Sequence, residues 1–138
     1  MPEKWEPIPF GKLKVLREGT DITLVSLAVG VHRCMEVASI LEKSGISAEV
    51  IDLRTVQPLD EENLIKSVEK TKAILVIDED YKRFGLSGEI SAILLEAGLV
   101  FKFGRVCTET VIPFSRKLEE DTLPNTEKIT QLAYKVLK

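Results

Sequence analysis

Long apolar runs and an excess of basic residues are both missing from this 138-residue sequence. No apolar segment approaches the roughly 20 residues of a membrane-spanning helix, and the first residues have neither the basic start nor the apolar block of a secretory signal. We therefore expect a cytoplasmic protein without a membrane partner. The formal net charge is -3 and the Lys and Arg residues are interspersed with acids, which argues against a nucleic-acid partner.

Residues that usually carry chemistry are also scarce. Cys34 and Cys107 have no CxxC spacing and lie in apolar stretches, so we expect two buried free thiols. His32 is the only histidine, and without an Asp or Ser companion in sequence it favours a surface or interface role over catalysis. No serine lies in a GxSxG motif, which removes support for a hydrolase. We predict no catalytic, cofactor-binding or metal-binding residue in this chain.

What the sequence does contain is an alternation of strand-like and helix-like segments. With 44% hydrophobic and 30% charged residues the composition is that of an ordinary globular domain. Residues 11–17 alternate apolar residues with Lys, the pattern of an edge strand with one wet face. Apolar runs that predict buried strands occur at residues 22–28, 48–53, 73–77 and 103–108. Helical spacing between these runs predicts a three-layer α/β/α sandwich with a mostly parallel sheet.

Two helix starts have clear signals. Asp60, between Leu59 and the apolar residue four positions into the helix, is predicted to cap a helix that ends near Lys70. Asn125 is predicted to cap the terminal helix. The terminal helix has apolar residues at i, i+3, i+4 and i+7 spacing, and the segment before it, which contains Pro113 and Pro124, is predicted as a loop.

Residues 1–10 are predicted to form an extended interdomain arm, with the domain itself spanning residues 11–138. Prolines at positions 2, 7 and 9 fix the backbone and remove hydrogen-bond donors. Trp5 and Phe10 on this arm are candidate contacts with a partner, although packing on the domain's own surface is an equal alternative.

The segment most suited to binding follows the strand at residues 73–77. Strand ends in open α/β sheets meet at the carboxyl edge, where ligands and partners dock. The turn at residues 85–88 contains two glycines ahead of a helix, so it either cradles an anion or only permits a tight turn. The acids before it form either a metal or acid-base site or, more simply, solvated caps. We select as interface candidates from this segment Asp78, Glu79, Asp80, Tyr81, Lys82 and Glu89.

Three segments carry a family resemblance. Residues 7–25 (PIPFGKLKVLREGTDITLV), 31–62 (ending in EVIDLRTVQPLDEE) and 112–129 (IPFSRKLEEDTLPNTEKI) resemble the C-terminal domain of transketolase-type thiamine-diphosphate enzymes. Within that group they are most similar to the beta subunit of the decarboxylating component of 2-oxoacid dehydrogenases, of the pyruvate, acetoin and branched-chain types.

The resemblance implies a five-stranded mixed sheet with one antiparallel edge strand. It also implies that thiamine diphosphate and magnesium belong to the whole enzyme and are bound by domains absent here, since the sequence has no GDG motif with downstream asparagines. The implied role is subunit assembly. The implied partners are the cofactor-binding domains or alpha subunit, a second beta subunit and the acyltransferase core.

Two other interpretations stay open at this point. A transketolase or deoxyxylulose-phosphate synthase relative would need phosphate-binding arginines, for which Arg54, Arg83 and Arg105 are the candidates. A free-standing regulatory module would bind an anion at residues 85–88. The family segment HEAPRTGGFGAEI aligns with residues 78–90, where Glu79, Gly85, Glu89 and Ile90 match and Asp78, Tyr81 and Phe84 depart.

Overall fold

A computed structural model describes residues 7–138 of the chain. It contains five strands, β1 (Lys14–Arg17), β2 (Ile22–Ser26), β3 (Ala48–Asp52), β4 (Ala73–Tyr81) and β5 (Lys102–Thr108). Its helices are α1 (Val29–Glu42), α2 (Glu61–Thr71), α3 (Leu86–Glu96), α4 (Arg116–Thr122) and α5 (Thr126–Leu137). The predicted arm at residues 1–10 lies mostly outside the described part of the chain, so it stays a prediction.

The strands form one sheet in the order β1-β3-β2-β4-β5. β2 lies at the centre, where Leu24 is paired with Val50 of β3 on one side and Leu75 of β4 on the other. These pairs and the β4–β5 pair are parallel, whereas β1 runs antiparallel to β3 at the edge. The predicted mostly parallel sheet with one antiparallel edge strand is confirmed.

Helices cover both faces of the sheet, which confirms the three-layer sandwich. On one face α1 and α5 contribute Cys34, Leu41 and Ile129 to a buried cluster. On the other face α2 and α3 contribute Leu64 and Leu94 to a second cluster. Strands buried on both faces must be apolar throughout, which is why β2 is buried over its whole length.

Two local predictions were wrong, and a third is confirmed in its position only. Asp60 is the N-cap residue of α2, as predicted, but its carboxylate makes no capping hydrogen bond and instead accepts hydrogen bonds from the Leu13 N–H at 3.2 Å and from the Asn63 side chain at 2.8 Å. Residues 116–122, predicted within a loop, form helix α4. β4 continues beyond residue 77 through the acids to Tyr81. The predicted cap at Asn125 is confirmed, since its side chain accepts the Lys128 N–H at 2.9 Å.

Candidate interaction surface at the carboxyl edge

The carboxyl ends of the four parallel strands meet at one edge of the sheet, which we call the carboxyl edge. The β2–α1 connection, the β3–α2 loop and the β4–α3 turn all lie there, as does the start of the antiparallel β1. The chain leaves β2 for β3 on one side and reaches β4 on the other, so the strand order reverses between β2 and β4. A crevice at such a reversal is the usual ligand position in open α/β sheets.

Large apolar side chains are exposed along this edge. Phe84 in the β4–α3 turn and Phe114 after β5 are fully exposed, and Phe10 before β1 is 85% exposed. Val56 in the β3–α2 loop and Tyr81 at the end of β4 are about half exposed. Isolated exposed apolar residues are ordinary, but several on one edge are typical of a surface that another polypeptide covers.

Backbone strain also concentrates at the carboxyl edge. Ala28, Arg54 and Phe84 have φ angles of 49°, 60° and 62°, a left-handed region that residues with a side chain adopt at a cost. They follow β2, β3 and β4 respectively. Strain of this kind persists where the surrounding structure imposes it, and it is common at binding sites.

The three successive acids that follow the apolar part of β4 have different environments. Asp78 is 9% exposed, whereas Glu79 and Asp80 are exposed. Glu79 pairs with Arg33 of α1 at 2.6 Å. Because successive strand residues point to opposite sides, these acids do not form one cluster. Within residues 7–138 no three His, Cys, Asp or Glu side chains converge as a metal site.

Asp78 is the buried acid at the end of β4, and Asp60 at the start of α2 is a second buried acid of this edge. The Oδ1 of Asp78 accepts the Asp80 N–H at 3.1 Å, whereas Oδ2 is buried and makes no hydrogen bond with the described residues. Burial raises the pKa of Asp78, and the charges of Asp80 and Glu79 raise it further, while the N–H groups of Asp80 and Leu86 oppose the rise. The N–H groups therefore compensate the charged form of this carboxyl group only in part.

Asp78 faces a groove of about 530 Å³ between the β3–α2 loop and the β4–α3 turn. The carboxylates on its lining are those of Glu61, Asp78, Asp80 and Glu89, and its apolar lining comes from Leu27, Val56, Leu59, Phe84, Leu86 and Ile93. No Lys or Arg of the described chain lines it. The groove is thus an acidic site with apolar walls, which favours a cation over the anion considered for residues 85–88.

The remaining interface candidates are placed as follows. His32 is exposed on α1 and lines a shallow hollow with Glu36 and Asp121. Lys82 pairs with Glu109 at 2.6 Å and so is occupied within the chain. Trp5 lies outside the described residues. Tyr81 and Glu89 lie at the carboxyl edge with the groove.

Sequence reasoning missed two features of this surface. Phe84 was seen only as a departure from a family segment, and its full exposure appears only in the structure. The sequence also did not indicate that Val56 of the β3–α2 loop and Glu61 line the same groove as Asp78. These residues come together only because β3 and β4 flank β2 in the sheet.

The opposite, amino edge of the sheet also holds a buried acid. Glu49 of β3 is 1% exposed, and its carboxylate bonds to the ammonium group of Lys70, which also bonds Glu18 at 2.9 Å. Burial raises the pKa of Glu49, with Lys70 acting in the opposite direction. Nearby, the Thr20 and Asp21 N–H groups donate to the Ser47 carbonyl. This edge is closed by contacts within the chain.

Both cysteines are buried and free, as predicted. Burial raises the pKa of the Cys34 thiol to about 12. Burial also raises the pKa of Cys107, whose Sγ contacts Ser87 Oγ at 3.6 Å. Thiols in this state are poor nucleophiles, which is consistent with packing roles.

Comparison with known proteins gives a consistent result. Residues 11–129 match the family model described as "Transketolase, C-terminal domain". "Pyruvate dehydrogenase E1 component subunit beta, mitochondrial" of Dictyostelium discoideum is 39% identical over 133 residues, covering 94% of this chain and 37% of that protein. "Acetoin:2,6-dichlorophenolindophenol oxidoreductase subunit beta" of Cupriavidus necator is 39% identical over 142 residues, covering 100% of this chain and 42% of that protein. The chain thus spans about two fifths of these relatives' length.

Solved structures agree with the fold. A structure described as "Split gene transketolase, inactive beta4 tetramer" superposes with a TM-score of 0.87 at 28% identity, covering 99% of this chain and 46% of that one. A 2-oxoglutarate:ferredoxin oxidoreductase from Magnetococcus marinus, at 13% identity and a TM-score of 0.63, shares the fold alone. In the described residues no helix is long and apolar enough to cross a membrane.

Proposed function

The chain belongs to the transketolase C-terminal domain family, and from this membership we propose that it is the assembly domain of a thiamine-diphosphate-dependent 2-oxoacid dehydrogenase beta subunit. The whole enzyme would decarboxylate pyruvate or a branched-chain 2-oxoacid oxidatively. This domain would not catalyse the reaction alone. The beta-subunit relatives at 39% identity support the 2-oxoacid assignment.

The observation that carries the assembly role is the exposure of large aromatic side chains along the carboxyl edge. A domain that acted alone would bury or replace side chains such as Phe84 and Phe114, which are fully exposed here. Aromatic residues are enriched at the centres of protein interfaces. The proposed partners are the cofactor-binding domains or alpha subunit, a second beta subunit and the acyltransferase core.

The acidic groove at the carboxyl edge does not fit the diphosphate of thiamine diphosphate. A diphosphate needs cationic side chains or free N–H groups, whereas this groove is lined by four carboxylates and no described Lys or Arg. We therefore assign cofactor binding to the other domains of the enzyme and derive no reaction step from this chain.

Mixing experiments test this function. We expect the chain to form a complex with the cofactor-binding domains of the same organism's 2-oxoacid dehydrogenase in analytical ultracentrifugation, and to complete 2-oxoacid decarboxylation in that mixture. Calorimetry of the chain alone with thiamine diphosphate and magnesium should show no binding heat. A measurable affinity for the cofactor, or the absence of any complex, would contradict the assignment.

A second candidate is a transketolase or deoxyxylulose-phosphate synthase relative, favoured by the similarity to a split-gene transketolase. It requires arginines that converge on a sugar phosphate. Arg54 follows β3 and Arg105 lies on β5, and with β2 and β4 between these strands the two are separated by roughly 14 Å of sheet. Arg105 also donates to the Lys82 carbonyl at 2.9 Å. Turnover of a sugar phosphate by the reconstituted mixture would favour this candidate.

A free-standing anion-binding module is the remaining alternative. Glu89 and Asp78 flank the turn at residues 85–88, so a phosphate there would meet carboxylates first. Titration of the chain with inorganic phosphate, monitored by amide chemical shifts of residues 85–88, is expected to give no saturable change.

A further inference from the structure

We propose that the acidic groove at the carboxyl edge binds one basic side chain, Lys or Arg, which a partner polypeptide presents beside an apolar residue. This inference rests on the proposed function, because the partner is one of the domains with which the chain assembles. It adds the chemistry of the contact, which assembly alone does not specify.

The first step concerns Asp78. Its side chain is more than nine-tenths buried, and Oδ2 has no hydrogen-bond partner among residues 7–138. A buried polar atom without a partner is costly, and in native proteins it usually marks a group that something else completes. Oδ2 therefore lacks a hydrogen-bond donor, and a charged donor forms the strongest hydrogen bond to a carboxylate.

The second step concerns the turn beside that atom. Position 85 is glycine, and a Cβ built there would lie 3.8 Å from Asp78 Oδ2 and 2.2 Å from the Tyr81 carbonyl oxygen. A side chain at this position would therefore clash with the Tyr81 carbonyl and displace the turn that packs beside the carboxylate. Gly85 thus keeps the turn close to Asp78, which lines the groove.

The third step concerns charge. Asp80, Glu89 and Glu61 line the groove with Asp78, and no described basic residue does. Of the nearby cations, Arg33 pairs with Glu79 and Lys82 with Glu109, while the exposed Arg83 of the turn does not line the groove. The groove therefore presents a negative potential that suits a cationic group from a partner.

The fourth step selects a side chain over a metal ion. A metal needs several ligands at one point, and within residues 7–138 no three candidate ligands converge. The carboxylates are instead spread among apolar walls that include Leu59 and Phe84. A Lys or Arg side chain has this form, with an apolar stem and a charged end. The fully exposed Phe84 ring at the rim offers the apolar contact for a neighbouring residue of the partner.

The test compares matched variants in the assembled complex. The dissociation constant for the chain and its cofactor-binding domains is measured by sedimentation for the wild type, Asp78→Asn and Glu96→Gln. Removing the buried partner of a charge pair is expected to weaken binding at least about 30-fold, whereas loss of the exposed charge of Glu96, at the far end of α3, is expected to change it less than about 3-fold. Circular dichroism checks that Asp78→Asn is folded.

A second measurement reads the contact directly. The carboxyl carbon of Asp78 is followed by NMR against pH in the free chain and in the complex. A bound cation should lower the pKa of Asp78 in the complex relative to the free chain. An unchanged titration together with unchanged affinity of Asp78→Asn would overturn the inference.

The outcomes separate the inference from the function on which it rests. If the wild-type chain forms no complex, the proposed function fails. If it forms a complex that Asp78→Asn matches in affinity, only the inference fails. If EDTA weakens the wild-type complex as much as the Asp78→Asn substitution does, the groove holds a metal ion and the inference is overturned.

Discussion

Two buried strand carboxylates, one at each edge of the sheet, have different partners. At the amino edge Glu49 is bonded to Lys70 from the same chain, and Glu18 joins the pair. Each acid keeps one buried oxygen without a hydrogen-bond partner in the described chain, but Asp78 at the carboxyl edge also has no ion pair there. Both acids lie at strand positions that the apolar pattern would otherwise fill.

This difference indicates that the chain itself supplies the cation for the buried acid at the amino edge. The acid at the carboxyl edge is left for a partner to pair. Removing Lys70 would leave Glu49 as a buried charge without a cation, which is strongly destabilising. A carboxylate without a pair costs stability in the free domain and gains it only on binding. We infer that the amino edge serves folding and the carboxyl edge serves assembly, and the predictions below test that division.

The largest expected effect is at the amino edge. Lys70→Met leaves Glu49 buried without its cation and should lower the free energy of unfolding by about 3 kcal/mol in urea titrations at pH 7. The double variant Glu49→Gln/Lys70→Met should recover most of the loss. Lys66→Met is the control, because it breaks only an exposed pair with Glu62 and should cost less than about 1 kcal/mol. A loss below about 1 kcal/mol for Lys70→Met would contradict the division.

A smaller effect is expected where the backbone packs closely at the same edge. A Cβ at Gly19 would lie 2.2 Å from the Glu49 nitrogen, so Gly19→Ala should lower the free energy of unfolding by about 2 kcal/mol. Gly85→Ala meets the Tyr81 carbonyl, but its turn lies at the open edge and should adjust at a lower cost. Gly88→Ala in α3, with nothing within 4 Å, is the control and should stabilise by about 0.5 kcal/mol. Equal losses at positions 19 and 85 would show that both edges are equally rigid.

At the carboxyl edge we expect substitution of Asp78 to stabilise the free chain. The raised pKa of Asp78 means that the native state binds its proton more tightly than the unfolded state does. Relative to Asp78→Asn, wild-type stability therefore rises as pH falls from neutral toward the unfolded-state pKa near 4. Asp78→Asn should be more stable by about 1 kcal/mol at pH 7, and this advantage should shrink in acid. Glu96→Gln, at the exposed end of α3, is the control, and a destabilised Asp78→Asn at pH 7 would contradict the account.

The smallest predicted effect concerns left-handed backbone at both edges. Phe84 and Lys72 have φ angles of 62° and 57°, so Phe84→Gly and Lys72→Gly should each stabilise the free chain by about 0.5 kcal/mol after the entropy of the unfolded state is counted. Only Phe84→Gly should also weaken association with the cofactor-binding domains. Equal association of the two variants would remove Phe84 from the interface.

Much of the fold could be predicted because its strands and most helices have strong local patterns. Strand β2 is apolar throughout, and α5 has an Asn cap and regular apolar spacing that the structure reproduces. Helix α4 was missed because it buries no residue and so has no apolar stripe to detect. Asp60 was placed correctly at the N-cap, but its side-chain partners were not predicted, because Leu13, distant in sequence, supplies the N–H that its carboxylate accepts.

Less of the interaction surface could be predicted. The sequence located the β4–α3 segment, since acids after a buried strand are visible without a structure. It did not separate the buried Asp78 from the exposed Glu79 and Asp80, because burial depends on neighbouring elements. It also did not predict that the β3–α2 loop lines the same groove, because that placement depends on the strand order.

Hydrogen exchange of the free chain and of its complex with the cofactor-binding domains tests the central claim most directly. The account predicts that residues 10–13, 54–59 and 80–89 at the carboxyl edge gain protection on assembly. Residues 18–21 and 45–49 at the amino edge should exchange equally in both states. Protection that appears at the amino edge and not at the carboxyl edge would contradict the account.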